Sequence, residues 1–195
     1  VGKELRDKAG GYATDGSHYN YFMAVLFPDN QLTIIDYNRV VSDLNGIEPF
    51  SLLERLSEKF KITKIKESYK PKELHHIGMY LHEKWYKLVI KEGLYDPQDP
   101  VDVLDVTILS KQILDPILDI RDLRSNTRID FVGGIRGIKE LEKRVDSGEM
   151  KVAFALYPVS MQQIMDISDN NMIMPPKVTW FEPKLRSGLT VYSLS

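Results

Sequence analysis

The stretch MKVAFALYPVSMQQIMDIS, residues 150–168, does most to determine the class of fold that this chain can adopt. Its first ten residues, 150–159, are almost all apolar, as in a strand that is covered on both faces. Ser160 follows, with Gln163 three residues later, and this spacing predicts a capping box at the start of a helix. We therefore expect a buried strand that leads directly into a capped helix, in a structure where helices pack on a sheet.

The chain before this stretch carries two hairpin patterns and one helix pattern. Residues 20–41, NYFMAVLFPDNQLTIIDYNRVV, predict a β-hairpin because two apolar runs flank the turn residues Pro28-Asp29-Asn30. Pro49 suits the first turn of a helix that continues to Phe60, and residues 61–68 alternate as a strand does. Residues 76–90, HIGMYLHEKWYKLVI, predict a second hairpin with its turn near residues 82–84.

Strands and helices alternate in the rest of the chain. A helix is predicted from Asp99 and Pro100 until Pro116 ends or kinks it, and an apolar stripe includes Val103, Val106, Leu109 and Ile113. The segment 127–134 predicts a strand, residues 138–146 a charged helix, and residues 177–194 one or two strands.

This order of elements predicts an α+β fold with mixed β-sheets, hairpins and flanking helices. The alternation in the second half allows parallel strand pairs there. We expect one α+β domain over residues 1–195. Residues 92–100, EGLYDPQDP, are a candidate boundary between two parts of this domain, and the alternative is that they form a surface loop.

Composition narrows the classes of function. The 195 residues are 43% hydrophobic and 28% charged, which is typical of a soluble globular protein, and we expect a cytoplasmic location. A net charge of −2 offers no basic field for nucleic acid, so nucleic acid is not an expected partner. The absence of cysteine excludes disulfides and thiolate metal sites. No apolar run reaches the roughly 20 residues that cross a bilayer, so we expect no membrane partner. A small-molecule ligand and a homodimer remain open.

The first residues, VGKELRDKAGG, have the features of a helix C-terminus. Lys3, Arg6 and Lys8 suit the last turns of a helix, and Gly10-Gly11 can supply a left-handed cap. The stretch has no apolar core and therefore does not match a signal peptide. We expect this chain to be part of a longer protein, with an expression artefact as the alternative.

Three histidines cluster in sequence but do not predict a metal site. His76 and His82 would share one face of a strand, at a separation of about 20 Å. Zinc ligands must all lie within about 2 Å of one ion. We expect His75, His76 and His82 to be ordinary strand-surface residues and assign no metal ligands.

Two other segments have a functional and a structural interpretation. VGGIRG, residues 132–137, follows a strand and precedes a helix, so its backbone could hold an anion beside Arg136. Its spacing matches no nucleotide fingerprint, and a tight strand–helix connection is the favoured alternative. Arg39 lies within an apolar hairpin and needs an anionic partner or a route to solvent, and we expect a structural salt bridge.

The most unusual segment is MPPKVTWFEPKLRSGL, residues 174–189. Two prolines fix two φ angles and should hold Lys177 extended, with Thr179 on the same strand face and Trp180 packed into the core behind. Lys184, Arg186 and Ser187 follow at a bend, since Pro183 prevents regular pairing. Such cations and hydroxyls could form a phosphate-binding surface, whereas the alternative is an edge strand protected against aggregation.

This segment is similar to the C-terminal signature of the bacterial and archaeal family called domain of unknown function 1015. That signature is Met-Pro-Pro-Lys-Ser-Thr-x-Phe-x-Pro-Lys-x-x-Ser-Gly-Leu. NYFMAVLFP, DYNRVV, LDVTIL and MKVAFALYPV resemble other blocks of the family in the same order, so the resemblance covers essentially the whole chain. Val178 stands where the family usually has serine, and Asn38 stands where many members have histidine.

The resemblance implies a location for this chain and a class of chemistry. Members are longer and carry an Ala-Asp-Gly-His-His-Arg stretch ahead of the matching region, so this chain corresponds to their C-terminal half and should lack kinase activity alone. Some members are linked to phosphorylation of free L-serine with ATP, and the Asp-Gly-His-His-Arg element resembles that of free-serine kinases with a ParB-like fold.

The resemblance also suggests site residues. It implies phosphate or substrate contacts by five side chains, with ATP as cofactor of the whole protein and Mg²⁺ arriving with the nucleotide, while catalytic residues stay unassigned. Those five are Lys177, Thr179, Lys184, Arg39 and Ser187. Three of them, the cations Lys177, Lys184 and Arg39, should lie near one another. The alternative is a non-enzymatic structural, dimerising or nucleotide-binding regulatory module.

Overall fold

The computed structural model describes residues 2–10, 16–184, 186 and 188–193. The chain divides into two compact units, one of Val1–Thr33 with Pro183–Ser195 and one of Ile34–Glu182. The predicted α+β class is confirmed. The segment 92–100 falls within the second unit.

A six-stranded sheet forms the centre of the second unit, in the spatial order β3-β5-β4-β7-β2-β6. All neighbouring strands of this sheet pair antiparallel. The parallel pairs that the alternation of strands and helices allowed therefore do not form in this sheet. The strands are β2 (Tyr37–Val41), β3 (Phe60–Ile65), β4 (His76–Leu81), β5 (Lys84–Ile90), β6 (Ile129–Gly133) and β7 (Val152–Ala155). A second sheet has two strands, β1 (Thr33–Ile35) and β8 (Trp180–Glu182).

Strand β7 is central, as its uninterrupted apolar sequence predicts. All four of its residues are buried, and it pairs with β4 on one side and β2 on the other. Phe154 belongs to one hydrophobic core, whereas Ala153 and Ala155 belong to a second core on the opposite face of the sheet. The small side chains on the second face leave room for a helix that packs there through Leu141.

In the part of the chain that the structure describes, five α-helices accompany the sheets: α1 (Gly2–Lys8), α2 (Pro49–Lys59), α3 (Asp105–Leu109), α4 (Lys139–Asp146) and α5 (Met161–Asp169). The capping box of α5 is confirmed, since the N–H of Gln163 donates to Ser160 Oγ at 3.1 Å and the N–H of Ser160 donates to Gln163 Oε1 at 3.0 Å. Gly10 has φ +96°, the left-handed conformation that was predicted after α1.

The helix predicted from Asp99 begins later, at Asp105. The carboxylate of Asp99 accepts the N–H groups of Val101 and Asp102, so it closes a turn and does not cap the helix. After Leu109 the helix widens into a π-helical turn over Ser110–Leu114. The predicted apolar stripe is largely correct, because Val106, Leu109 and Ile113 are buried.

The hairpin predicted for residues 20–41 is wrong, whereas the hairpin over residues 76–90 is confirmed as β4 and β5. Residues 21–28 form no strand, and Phe22 and Leu26 are 83% and 93% exposed. An apolar run becomes a strand only where another strand pairs with it, and within the described part of the chain none pairs with this run. No helix in the described ranges is long and apolar enough to cross a membrane.

Candidate functional site

The segment that carries the signature turns sharply at Lys177. Pro176 and Lys177 lie in a turn, and Lys177 has φ +56°, so the prediction of an extended Lys177 is wrong. The next residue, Val178, is 5% exposed and belongs to the main hydrophobic core. Because Val178 enters the core, the turn leaves the side chain of Lys177 exposed at the surface.

The buried side chain of Arg39 hydrogen-bonds the backbone of this turn. Its side chain is 1% exposed, and its Nη2 donates a hydrogen bond to the carbonyl oxygen of Lys177 at 2.7 Å. Its Nη1 donates to the carbonyl oxygen of Tyr37. No carboxylate of the described residues forms an ion pair with it, so the expected salt bridge is wrong. The acceptors are neutral carbonyl groups.

Two aromatic rings complete the surroundings of Arg39. The guanidinium carbon lies 4.8 Å from the ring centre of Phe131 and 5.8 Å from that of Tyr37. Register places Phe131 directly across from Arg39 on β6. Burial lowers the pKa of Arg39 to about 9, and Tyr37 opposes this shift. The rings stabilise the charge partly through their negative faces.

Trp180 packs beside this cluster and directly against Gly133, where only a glycine leaves room for the indole ring. A Cβ atom on Gly133 would lie 2.7 Å from the indole ring of Trp180. The ring also meets Tyr37 edge-on, with 5.8 Å between ring centres, and its Nε1 donates to Glu182 at 2.7 Å. Trp180 is half-buried, so it anchors the segment against β6 without entering the core fully.

The glycines of VGGIRG serve packing in this structure. Gly134 lies against the buried carboxyl group of Asp36, and its N–H donates to the Asp36 carbonyl oxygen at 2.7 Å. The Asp36 carboxylate pairs with Lys70 Nζ at 2.6 Å and accepts from Asn38 Nδ2 at 2.7 Å. These contacts favour the tight strand–helix connection over the anion-binding interpretation.

Asn38 has a structural role that accounts for its amide. Its Oδ1 accepts the N–H of Leu156 at 2.9 Å, while its Nδ2 donates to Asp36. The side chain is 1% exposed and therefore needs both hydrogen bonds. The amide therefore joins the end of β7 to β2.

A pocket of about 430 Å³ lies beside the two prolines of the signature. It is large enough for a small-molecule ligand. Three cations and one carboxylate contribute to its wall, and carboxylates of neighbouring residues pair with two of the cations. The lining residues are Val101, Thr107, Ser110, Lys111, Arg121, Asp122, Leu123, Arg124, Pro175 and Pro176.

The cations of this pocket differ in their partners. Lys111 Nζ pairs with Asp102 at 2.6 Å, and Arg121 Nε lies 3.1 Å from Asp119. No described residue pairs with the guanidinium of Arg124. The one carboxylate, Asp122, is already bonded by the backbone of Arg124 at 2.9 Å and by Ser125 Oγ at 2.6 Å. Arg124, which is exposed, is therefore the lining cation that an anion can reach without displacing an ion pair among the described residues.

Two hydroxyl groups come from the widened helix. Ser110 Oγ donates to the carbonyl oxygen of Val106 at 2.8 Å, so its lone pairs stay open. Thr107 Oγ1 is buried and has no hydrogen-bond partner in the described structure. A buried hydroxyl without a partner is costly, and such groups often mark a place that a ligand or water completes.

The predicted site residues are distributed unevenly. Arg39 and Lys177 meet, but through the Lys177 carbonyl oxygen and not through its ammonium group. Thr179 is half-buried and Lys184 is an exposed residue of the first unit, while Ser187 lies outside the described residues. Contacts of these side chains with phosphate stay a prediction.

Sequence reasoning missed Lys111, Arg121 and Arg124. One signal for these residues was available in the sequence, because Arg121 and Arg124 lie three residues apart shortly after the widened helix. Lys111 follows the LDVTIL block closely. None of the three stands out locally, because each is one of 26 basic residues.

His75 and His76 contact neighbouring protein groups. The ring of His75 hydrogen-bonds the Val103 carbonyl oxygen at 3.2 Å and the Tyr95 hydroxyl at 3.1 Å. His76 pairs with Glu73 at 3.0 Å. In the ranges that the structure describes, no three His, Cys, Asp or Glu side chains come together as metal ligands.

Comparison with solved structures gives weak overall similarity. A free serine kinase in complex with AMP has a TM-score of 0.46 and 12% identity, over 82% of this chain and 57% of that one. A conserved hypothetical protein from Pyrococcus furiosus has a TM-score of 0.47 and 13% identity, over 82% of this chain and 60% of that one. This chain thus spans less than two thirds of the length of either structure. No curated protein matches the sequence.

A protein-family model matches residues 1–107, which is more than half of the chain. The matched region includes Arg39, Asn38 and the start of the widened helix. It also includes the NYFMAVLFP and DYNRVV blocks, on which the resemblance partly rests, and the first four residues of the LDVTIL block. The chain therefore belongs to the family described as "Protein of unknown function (DUF1015)".

Proposed function

We propose that this chain binds the phosphate groups of a nucleotide in a phosphotransferase that acts on a small hydroxylated metabolite. The observation that carries the proposal is the 430 Å³ pocket, whose wall includes Lys111, Arg121 and Arg124. Catalysis of phosphoryl transfer relies mainly on positioning and on stabilisation of charge, which cations in a pocket supply.

The pocket suits a nucleotide in two ways. Its cations could hold phosphate oxygens, and arginine does so through two parallel hydrogen bonds. Val101, Leu123, Pro175 and Pro176 provide apolar surface for the flat face of a base. Ser110 supplies a hydroxyl group for a ribose or a phosphate. Mg²⁺ would arrive with the nucleotide, since nucleotide phosphates supply much of its coordination.

The metabolite is proposed to be L-serine, from the family resemblance. Lys177, Thr179, Lys184 and Ser187 stay candidates for contacts with the substrate or its phosphate. The exposed ammonium group of Lys177, one residue beyond the prolines that line the pocket, supports including it.

Calorimetric titration of the chain with ADP and MgCl2 tests the binding step. We expect Arg124→Gln to weaken ADP binding about tenfold, which corresponds to about 1.4 kcal/mol for a lost charged hydrogen bond. Arg55→Gln is the matched control, because Arg55 is an exposed residue of α2 outside the pocket lining. Equal ADP affinity for the Arg124→Gln, Lys111→Gln and unsubstituted proteins would exclude this pocket as the nucleotide site.

The reaction itself needs a separate assay on the whole protein. ATP and L-serine are supplied, and ADP or AMP release is followed together with formation of phosphoserine. Turnover that requires L-serine supports the proposal. Binding of ADP without turnover of any hydroxylated amino acid would favour a nucleotide-binding regulatory module.

One observation favours a second candidate, a structural or dimerising module. The segment 21–27 exposes Tyr21, Phe22 and Leu26, and contiguous exposed apolar residues often mark an interaction surface. Sedimentation equilibrium of the chain at several concentrations distinguishes a dimer from a monomer. A dimer that binds no nucleotide would support this candidate over the first.

A further inference from the structure

Arg39 is a buried cation whose hydrogen-bond and ring partners, among the described residues, are all neutral. Its guanidinium has five N–H donors. The described acceptors are the carbonyl oxygens of Tyr37 and Lys177, and aromatic rings of Tyr37 and Phe131 lie nearby. A buried charge normally has an opposite charge beside it, because burial without one costs several kcal/mol. Arg39 therefore keeps an unpaired charge and further N–H donors that an anionic group would satisfy.

The Lys177 turn that covers Arg39 has a strained backbone. Lys177 has φ +56°, a left-handed conformation that is sterically unfavourable for a non-glycine residue. Its carbonyl oxygen contributes one of the two hydrogen bonds to Arg39. Displacing this oxygen would release strain and free a charged donor at the same time.

We propose that Arg39 is an anion-binding residue, and that a phosphate or carboxylate group of a small ligand replaces the Lys177 carbonyl oxygen when the Pro176–Lys177 turn opens. This inference deepens the proposed function and rests on it for the negative charge of the ligand. A charged acceptor forms a stronger bond to a guanidinium than a carbonyl oxygen does, and it can accept two N–H groups at once. The binding site exists only in the open form of the turn.

The indole N–H resonances of Trp180 and Trp85 report on this opening. Trp180 packs against Gly133 and Tyr37 in the segment that follows the turn, whereas Trp85 is buried in the other core and donates to Glu142. We expect sodium phosphate to shift the Trp180 resonance and leave Trp85 in place, relative to sodium chloride at equal ionic strength. Sodium acetate in a parallel titration tells a carboxylate ligand from a phosphate ligand.

Variants separate this site from the pocket. Arg39→Met should abolish the shift of Trp180, and Lys111→Gln, in the pocket, should leave it. Loss of the shift in Arg39→Met supports the inference. A shift that survives Arg39→Met overturns it, and loss in Lys111→Gln alone would then assign the phosphate to the pocket and leave the proposed function standing. No Trp180 shift with either anion also overturns it.

A second pair of variants keeps the test decisive if Arg39→Met does not fold. Lys177→Gly and Lys177→Ala both remove the ammonium group, but only glycine adopts φ +56° without strain. The glycine variant holds the turn closed more firmly, so phosphate should bind it several-fold more weakly than the alanine variant. Equal phosphate affinities for the two variants would mean that the turn need not open, and would overturn the inference.

Discussion

Asp105 shows how burial of one residue changes its chemistry. Its side chain is 3% exposed, Oδ1 accepts the N–H of His75 at 2.8 Å, and Oδ2 has no partner in the part of the chain described. Burial raises the pKa of Asp105 from 3.8 to about 7, although the hydrogen bond from His75 opposes the shift. Between pH 3.8 and about 7, Asp105 therefore keeps its proton in the folded protein and loses it in the unfolded chain.

This shift predicts that the folded state loses stability as pH rises. The contribution of Asp105 to the stability of the folded state is fully present below pH 3.8, where its carboxyl group is protonated in both the folded and the unfolded states. This contribution is lost as pH rises through about 7. Asp105→Asn mimics the protonated form, so we expect it to raise the free energy of unfolding above neutral pH by about 4 kcal/mol. Urea unfolding across this pH range measures the effect.

The control for this prediction is Glu54→Gln. Glu54 is an exposed carboxylate on α2, so its substitution should leave the pH dependence of unfolding as it is. If Asp105→Asn kept the same pH dependence as the unsubstituted protein, the carboxyl group would be ionised in the folded state, contrary to the prediction.

Gly133 gives a second prediction at the same scale. Its φ of −63° suits any residue, so the only obstacle to a side chain is the ring of Trp180, 2.7 Å from the Cβ position. We expect Gly133→Ala to lower the free energy of unfolding by about 1–3 kcal/mol. In a double-mutant cycle, Trp180→Leu should relieve part of that loss. Purely additive effects in chemical denaturation would mean that the two residues do not interact.

At the scale of elements, the β4–β5 turn is stable despite its residues. His82 and Glu83 have φ +48° and +57°, as a two-residue hairpin turn requires, but the turn has neither the asparagine nor the glycine that usually adopts this conformation. The long apolar strands on either side impose the turn, because Met79 and Leu81 on β4 and Trp85 and Leu88 on β5 are buried.

We expect Glu83→Gly to stabilise the protein by about 1 kcal/mol, since glycine adopts the left-handed conformation without a steric cost. Differential scanning calorimetry measures the gain as a higher melting temperature. Lys84→Gly is the control, because Lys84 begins β5 and glycine weakens a strand. A lower melting temperature for Glu83→Gly would point to a contact of the Glu83 side chain that outweighs the backbone cost.

At the scale of the whole molecule, apolar surface is concentrated in one segment of the first unit. Residues 21–27 include Leu26, whose side chain is 93% exposed, and Phe22, whose side chain is 83% exposed. Side chains so exposed contribute little to the stability of this chain, but they favour association.

We expect Leu26→Glu to change the free energy of unfolding by less than about 0.5 kcal/mol while it lowers aggregation. Urea unfolding and static light scattering measure the two effects. Leu56→Ala is the contrasting control, since Leu56 is fully buried and its truncation should cost about 2–5 kcal/mol. A comparable loss for Leu26→Glu would show that Leu26 packs against part of the molecule.

Local patterns in the sequence determined much of the secondary structure of the second unit. The capping box at Ser160, the proline at the start of α2, the hairpin over residues 76–90 and the apolar run of β7 all have the predicted structure. Each signal depends on residues close in sequence, whose spacing sets which backbone groups and faces can meet. The family signature likewise identified a segment that lies beside a pocket.

Tertiary structure alone decided the sheet order, the partners of Arg39 and the lining of the pocket. Arg39 and Lys177 are 138 residues apart, and the pocket joins Lys111 and Arg124 to Pro175. The first apolar run of the predicted hairpin shows the same limit, because its composition suits a strand but the described residues provide no partner. Propensity reports what a segment can form, whereas pairing, burial and the choice of hydrogen-bond acceptor depend on which distant residues arrive beside it.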